Sequence, residues 1–224
     1  MLDWLLSLDR ELLLFFNGHH NPFWDAFMML TSGKVIWFVF YFVIIAVVLN
    51  TFGWKKGGLI ILSMILVIVL SDQIASSVFK PIFKRFRPSR DPSLSHLVHI
   101  VKGYTGGKYG FASSHASNSF GLAVFVSLLF KNRATSVFII FWAVLVSYSR
   151  IYLGVHYPGD IIVGALIGTL SAYFVYSLLR KYSKPSLICK PVQRTHAVAR
   201  IHQIPLLGSL QIIVMLLSVF YILK

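Results

Sequence analysis

Acidic side chains are scarce in this chain. Its 224 residues hold seven Asp and Glu against 21 Lys and Arg, a formal net charge of +14, and from Pro92 onward the sole carboxylate side chain is Asp160. There is one cysteine, Cys189, which excludes an intrachain disulfide and a cysteine metal cluster. Charge of either sign is rare too, at 12% against 57% hydrophobic residues. That balance excludes an ordinary soluble domain and points to a protein that crosses the membrane several times. In a soluble domain the cationic excess would suggest nucleic acid. Few charges fall within the apolar runs here, so anionic lipid and phosphate are the expected partners and nucleic acid is not. No internal repeat or low-complexity tract is present. The N-terminus does not read as a signal peptide, because Asp3, Asp9 and Glu11 interrupt it and no basic opening or small-residue cleavage site follows.

What remains is a series of apolar runs. Residues 2–16 are leucine-rich but carry Asp3, Asp9, Arg10 and Glu11, which suits an amphipathic helix lying in the interface. With the breaker-rich loop after it, that unit covers residues 1–25, and Phe23–Leu30 either extends the first span or lies on the surface. Val35–Trp54 is uncharged, and about 20 residues at about 1.5 Å each cross a ~30 Å apolar layer. Lys55, Lys56, Gly57 and Gly58 are expected to close it. Leu59–Phe79 is a second span, and its Asp72 should face the bundle, pairing there and fixing the helix rather than relaying protons. A polar loop covers 80–113, where Pro88 and Pro92 break any helix. A third span runs from about Ser114 to Phe130, a fourth from Ala134 past Arg150, and a fifth from about Gly159 to Leu179. Pro158 suits the first turn of the fifth. A basic linker, 180–203, precedes a charge-free final span, 204–223. The expected architecture is thus an all-α, integral-membrane helical bundle of about six spans in one domain, with an interfacial N-terminal helix.

Counting crossings puts the 80–113 loop and 150–160 on one face, and Lys55/Lys56, Lys131/Arg133 and the linker on the other. The second group holds ten Lys and Arg and no acid. The preference for cationic loops inside makes it cytoplasmic and turns the first face outward, to the periplasm in a bacterial inner membrane.

Three polar clusters meet on that outer face. Lys80 and Arg87 sit seven residues apart, on one helical face two turns apart if the helix continues. Ser113, Ser114 and His115 open the third span, where a serine cap and free amides favour an anion. Arg150, His156 and Asp160 flank the start of the fifth. Each cluster alone has an ordinary explanation: snorkelling cations, a simple cap, a polar residue at a helix end. Their shared side and complementary chemistry point to a phosphate site with two histidines.

These residues also resemble a known family. Lys-x6-Arg-Pro (Lys80 to Pro88), Ser-x-His (Ser113 to His115) and Ser-Arg-x5-His-x3-Asp (Ser149 to Asp160) are similar, in order and spacing, to the three-part signature of the type-2 phosphatidic acid phosphatases. The second motif departs from the family's Pro-Ser-Gly-His, reading Ala-Ser-Ser-His from Ala112. The departure removes no ionisable group. The resemblance implies that Lys80, Arg87 and Arg150 clamp phosphate oxygens, with Ser113, Ser114 and nearby amides adding hydrogen bonds. It implies that His156 attacks phosphorus and forms a phosphohistidine, that Asp160 orients and charges His156, and that His115 protonates the leaving oxygen and then activates water. No metal or other cofactor is expected, since metal-dependent phosphatases gather several carboxylates and these clusters offer Asp160. The substrate is an anionic lipid with its phosphate at headgroup level: lipid A or undecaprenyl diphosphate, with phosphatidate or phosphatidylglycerophosphate as alternatives. Lys84, Arg85, Arg90, Lys102 and Lys108 either contact the headgroup or form a solvated basic loop. A non-catalytic binder or transporter of lipid phosphate is the rival class. Vanadate haloperoxidases are similar at these motifs but soluble.

Overall fold

The structure, a computed structural model, describes residues 2–182 and 199–223. Among these residues every regular element is helical, and the extended segments pair only at a bridge between Phe86 and Tyr109. Part of the 180–203 linker, residues 183–198, lies outside the described residues.

The first helix, α1 (Leu2–Gly18), is amphipathic in an inverted sense. Its stripe of Asp9, Leu13 and Asn17, at spacings of four, is buried against the rest of the protein, while Trp4, Leu5 and Phe15 are exposed. Part of its apolar surface is thus free to meet lipid, while Asp9 and Asn17 meet protein beside Leu13. α2 (Pro22–Ser32) is a separate helix. Asn21 caps it by accepting from the Trp24 amide at 2.9 Å, and Pro22 stands where a missing amide costs nothing.

Two crossings follow in α3 (Phe38–Gln73), which folds back on itself at Gly53 (φ 75°, ψ 169°). The expected break at Lys55–Gly58 is therefore displaced. Gly53 takes a conformation that side chains resist, and the two lysines open the second arm. Gly57 has a different duty. A Cβ there would lie 3.2 Å from the Leu49 Cα, so its hydrogen lets the two arms meet closely. The second arm widens into a π-helical segment, Ile74–Phe79, and ends in the short α4 (Lys80–Phe83) at left-handed Lys84 (φ 46°).

The remaining crossings are α5 (Ser114–Phe130), α6 (Arg133–Tyr152), α7 (Pro158–Tyr182) and α8 (Gln203–Ile222). Pro158 opens α7 as expected. The stretches Val35–Phe83, Arg133–Tyr152, Pro158–Tyr182 and Ala199–Tyr221 are long and apolar enough to span, and α5 is a shorter apolar helix among them. With two arms in the first stretch, the bundle has six crossings. The Arg200 guanidinium donates to the Asn50 carbonyl at 2.6 Å, which sets the start of α8 beside the tip of the α3 hairpin.

α5 and α7 approach backbone to backbone. A Cβ on Gly168 would fall 2.1 Å from the Ser117 carbonyl oxygen, and one on Gly164 would fall 2.5 Å from that of Ser113. Small residues four apart allow this contact, the usual way membrane helices gain packing without a hydrophobic drive. The contact carries to the helix starts, where the Ser113 amide donates to the Asp160 carbonyl at 3.0 Å. Two of the three polar clusters are joined there.

Candidate active site

A cavity of about 470 Å³ opens among the helix ends, lined by Lys80, Arg87, Ser114, His115, His156 and Asp72 with their apolar neighbours. Lys80 reaches it from the end of the π-helical segment, a feature that often re-aims a side chain at a functional site. Its Nζ donates to Ser114 Oγ at 2.6 Å and to Ser76 Oγ at 3.2 Å. Arg87 does not share a helical face with it. The helix stops at Lys84, so Arg87 arrives from extended backbone (φ −70°, ψ 151°). Its Nε donates to the Tyr109 carbonyl at 3.1 Å and its Nη1 to that of Val155 at 3.4 Å. Burial, with Arg150 nearby, lowers its pKa to about 10, which leaves it cationic at neutral pH.

The two serines divide their duties. Ser113 is fully buried as the cap of α5, its Oγ accepting from the Ala116 amide, while Ser114 lines the cavity beside Lys80. His115, one residue on, faces the same space. Arg150, in the last turn of α6, is buried at 1% exposure. Its Nη1 donates to Ser32 Oγ, its Nη2 to the Tyr104 hydroxyl at 3.0 Å, and its Nε has no protein partner. Ser32 and Tyr104 thus enter the site from α2 and the 84–113 loop, a pairing invisible in the motif.

Left-handed Gly154 (φ 67°) turns the chain out of α6, and the next residues present His156. His156 Nδ1 lies 3.1 Å from Asp160 Oδ2, which also accepts from the Tyr157 amide at 3.1 Å. A carboxylate can only accept, so Nδ1 carries the proton and Nε2 keeps its lone pair. Burial, reinforced by Arg87, Arg150, His115 and Lys80, holds the His156 pKa well below its usual value. The imidazole is therefore neutral at physiological pH, the state a nucleophile needs. The backbone makes room for the pair at Gly110, where a Cβ would lie 2.8 Å from Asp160 Oδ2 and 3.5 Å from His156 Nδ1.

Two further residues join the pair. Arg85 Nη1 donates to Asp160 Oδ1 at 3.1 Å, and its Nη2 donates to Asp9 Oδ2 at 2.7 Å. Arg85 stood in the sequence as one of five loop cations, and Asp9 as one of four charges on an interfacial helix. The signal that could have found Asp9 is its apolar setting, since an acid in a leucine-rich helix needs a partner. Asp72 has the pairing expected of it, accepting from Asn118 Nδ2 at 3.1 Å, and it lines the cavity. Among the described residues a group with ligand atoms close enough for a metal occurs outside the cavity lining, at His20, Asp25 and His99. The His20 and His99 rings stack at 3.6 Å with 1° between their planes, so their in-plane lone pairs run parallel and do not converge.

The family model described as PAP2 superfamily matches residues 59–184. A protein of Bacteroides thetaiotaomicron named lipid A 4'-phosphatase is 45% identical over 182 residues, 81% of this chain and 81% of that protein. One of the same name from Porphyromonas gingivalis is 39% identical over 179 residues, 79% of this chain and 75% of that protein. Among solved structures, the crystal structure of Aquifex aeolicus LpxE is 27% identical and superposes with a TM-score of 0.57, covering 75% of this chain and 93% of that one.

Proposed function

The chain belongs to the PAP2 superfamily and is a membrane lipid phosphatase of its metal-independent kind, and from that premise we propose that it hydrolyses a phosphate monoester of lipid A through a phosphohistidine on His156. The observation that carries the mechanism is the orientation of His156. Its Nδ1 is tied to Asp160, and its other nitrogen is left for a cavity ringed by Lys80, Arg87 and Ser114.

Lys80 and Arg87 hold the phosphate oxygens, Arg150 adds charge from behind, and Ser114 with the first amides of α5 donates hydrogen bonds. Ser113 acts through the cap that aims those amides. His156 Nε2 attacks phosphorus as the bond to the lipid oxygen breaks, and His115 passes a proton to that oxygen. Water then attacks the phosphohistidine, giving its proton to His115, and inorganic phosphate leaves as the P–N bond breaks. Asp160 stabilises the cationic ring between the two steps.

The substrate reading is supported by the relatives that carry the lipid A 4'-phosphatase name and cover most of this chain. Charge supports an outward orientation of the site. Arg10 and Lys34 stand on the site face in the folded chain, so bare count no longer favours the opposite face. Lys80, Arg85, Arg87 and Arg150 are however engaged inside the site, whereas the opposite face keeps its ten Lys and Arg without an acid. That imbalance of free charge supports a site on the periplasmic side of the inner membrane.

The test is phosphate release by the purified protein in detergent and EDTA, from lipid A, undecaprenyl diphosphate, phosphatidylglycerophosphate and phosphatidate in parallel. Lipid A should be the favoured substrate, and His156→Ala should abolish release. Equal rates on all four would overturn the lipid A assignment. Absence of release from any would favour a non-catalytic lipid-phosphate binder, which should tolerate the double change His115→Ala and His156→Ala.

A further inference from the structure

Asp9 belongs to the first helix of the chain, yet it ends beside the reacting pair. It is buried, and both of its oxygens are occupied. Oδ2 accepts from Arg85 Nη2 at 2.7 Å, and Oδ1 accepts from the Gly159 amide at 2.7 Å, at the start of α7. Arg85 is held over Tyr157, its guanidinium carbon 3.9 Å from the ring centroid, and its Nη1 meets Asp160 Oδ1 at 3.1 Å. The line Asp9, Arg85, Asp160, His156 is continuous, and every carboxylate oxygen in it has a partner.

The charges in this line matter as much as its geometry. Cations face His156 from the elements around it, Lys80 of α4, Arg87 of the 84–113 loop and Arg150 of α6, with the His115 imidazole of α5 beside them and the Asp72 carboxylate of α3 across the cavity. Forming the phosphohistidine adds a positive charge to the ring. Asp160 bound to Arg85 alone would be a neutral unit, with little left to offset that charge. Two carboxylates sharing one guanidinium carry a net charge of −1, and the second carboxylate is Asp9.

We propose that Asp9 and Arg85 are positioning residues for the His156–Asp160 pair, Arg85 fixing the plane of the carboxylate and Asp9 offsetting the guanidinium so that the pair stays negative toward the ring. This rests on the reading of His156 as the nucleophile. It predicts that α1 contributes to turnover and not merely to the anchoring of α7.

Asp9→Asn tests it, because the amide keeps the shape and an acceptor for Gly159 while removing the charge. Outer partners of metal-ligating histidines typically change activity by roughly 10–100-fold, and a partner that orients a reacting histidine through its carboxylate acts by the same physics. Asp9→Asn should lower kcat by about tenfold, the low end of that range, with KM and Tm close to wild type. Removing a negative charge makes the His156 ring easier to deprotonate, so the acid limb of kcat/KM should move to lower pH. Arg85→Gln should lower kcat and move that limb to higher pH, and Arg85→Lys should recover part of the loss. Opposite displacements of the limb would not arise from loosened docking of α1. The proposal is overturned if the wild type is active, His156→Ala is dead, and Asp9→Asn keeps the wild-type kcat and pH profile. Loss of rate in step with loss of folded protein, or limbs that move the same way in both variants, overturns it too. A wild type that releases no phosphate removes the premise and the proposal together, which is a separate result.

Discussion

At the scale of single residues, the site depends on atoms that are absent as much as on those present. Gly110 offers only a hydrogen to Asp160 and His156, and a methyl group would stand 2.8 Å from the carboxylate oxygen. Gly110→Ala should therefore displace the pair. A misplacement of about 1 Å typically costs about 100-fold in rate, so kcat should fall by that order while the protein stays folded. The check is a kinetic comparison of the variant with wild type at equal folded concentration. His156 makes a second prediction. Its folded pKa lies well below the usual value of 6.5, so the unfolded chain binds the extra proton first as pH falls. Stability is thus full above about pH 6.5 and is lost progressively below it. Thermal unfolding followed from pH 7.5 to 5 should show a falling Tm, and His156→Gln should flatten that slope. Much of this was legible beforehand. Lys80, Arg87, His115, His156 and Asp160 stand at fixed separations within short motifs, and the structure brings all five to one cavity and the wall behind it. Gly110 and Asp9 were not legible as site residues, and Arg85 was read only as a headgroup contact or a solvated loop cation, because their pairings run across the chain and no local spacing encodes them.

At the scale of elements, two glycines decide how α5 and α7 meet. Gly168→Val would drive a branched side chain into the Ser117 carbonyl, 2.1 Å from where its Cβ would sit. Overpacking of this kind costs about 1–3 kcal/mol, and each such unit lowers Tm by about 2–4 °C in a chain of this length. Gly168→Val should therefore melt several degrees below wild type in the same detergent, and activity should fall with it because the starts of the two helices carry the site. The number and order of the crossings could be read from the apolar runs. Their joints were harder. Lys55 and Lys56 look like a stop signal, yet lysine is at ease in the first turn of an interfacial helix, and the reversal is made two residues earlier by Gly53. Arg87 was expected on a helical face with Lys80, but Lys84 ends that helix in a left-handed conformation. The extended segment then delivers the guanidinium to the same place by a different route.

At the scale of the whole molecule, the sequence carries a built-in probe of its orientation. Cys189 is its single cysteine and lies in the basic linker between α7 and α8. With the site facing the periplasm, a membrane-impermeant maleimide should leave intact cells unlabelled and should modify Cys189 only after the inner membrane is opened. Labelling of intact cells would reverse the assigned orientation and put the phosphatase on the cytoplasmic leaflet. The sequence's charge balance could indicate this orientation only in part, since half of its cations turn out to stand on the site face and several are consumed by the site itself.

The hydrogen bond from Gly159 to Asp9 joins residues 150 positions apart. Asp9 meets Arg85 through one oxygen, but its other oxygen waits for the start of α7, and four crossings must be laid into the membrane in between. A chain halted after α6 holds Lys80, Arg87, His115 and Arg150 but has neither His156 nor Asp160. On the proposed mechanism hydrolysis becomes possible only late in biogenesis, and measured activity is then a readout of completed insertion as well as of chemistry.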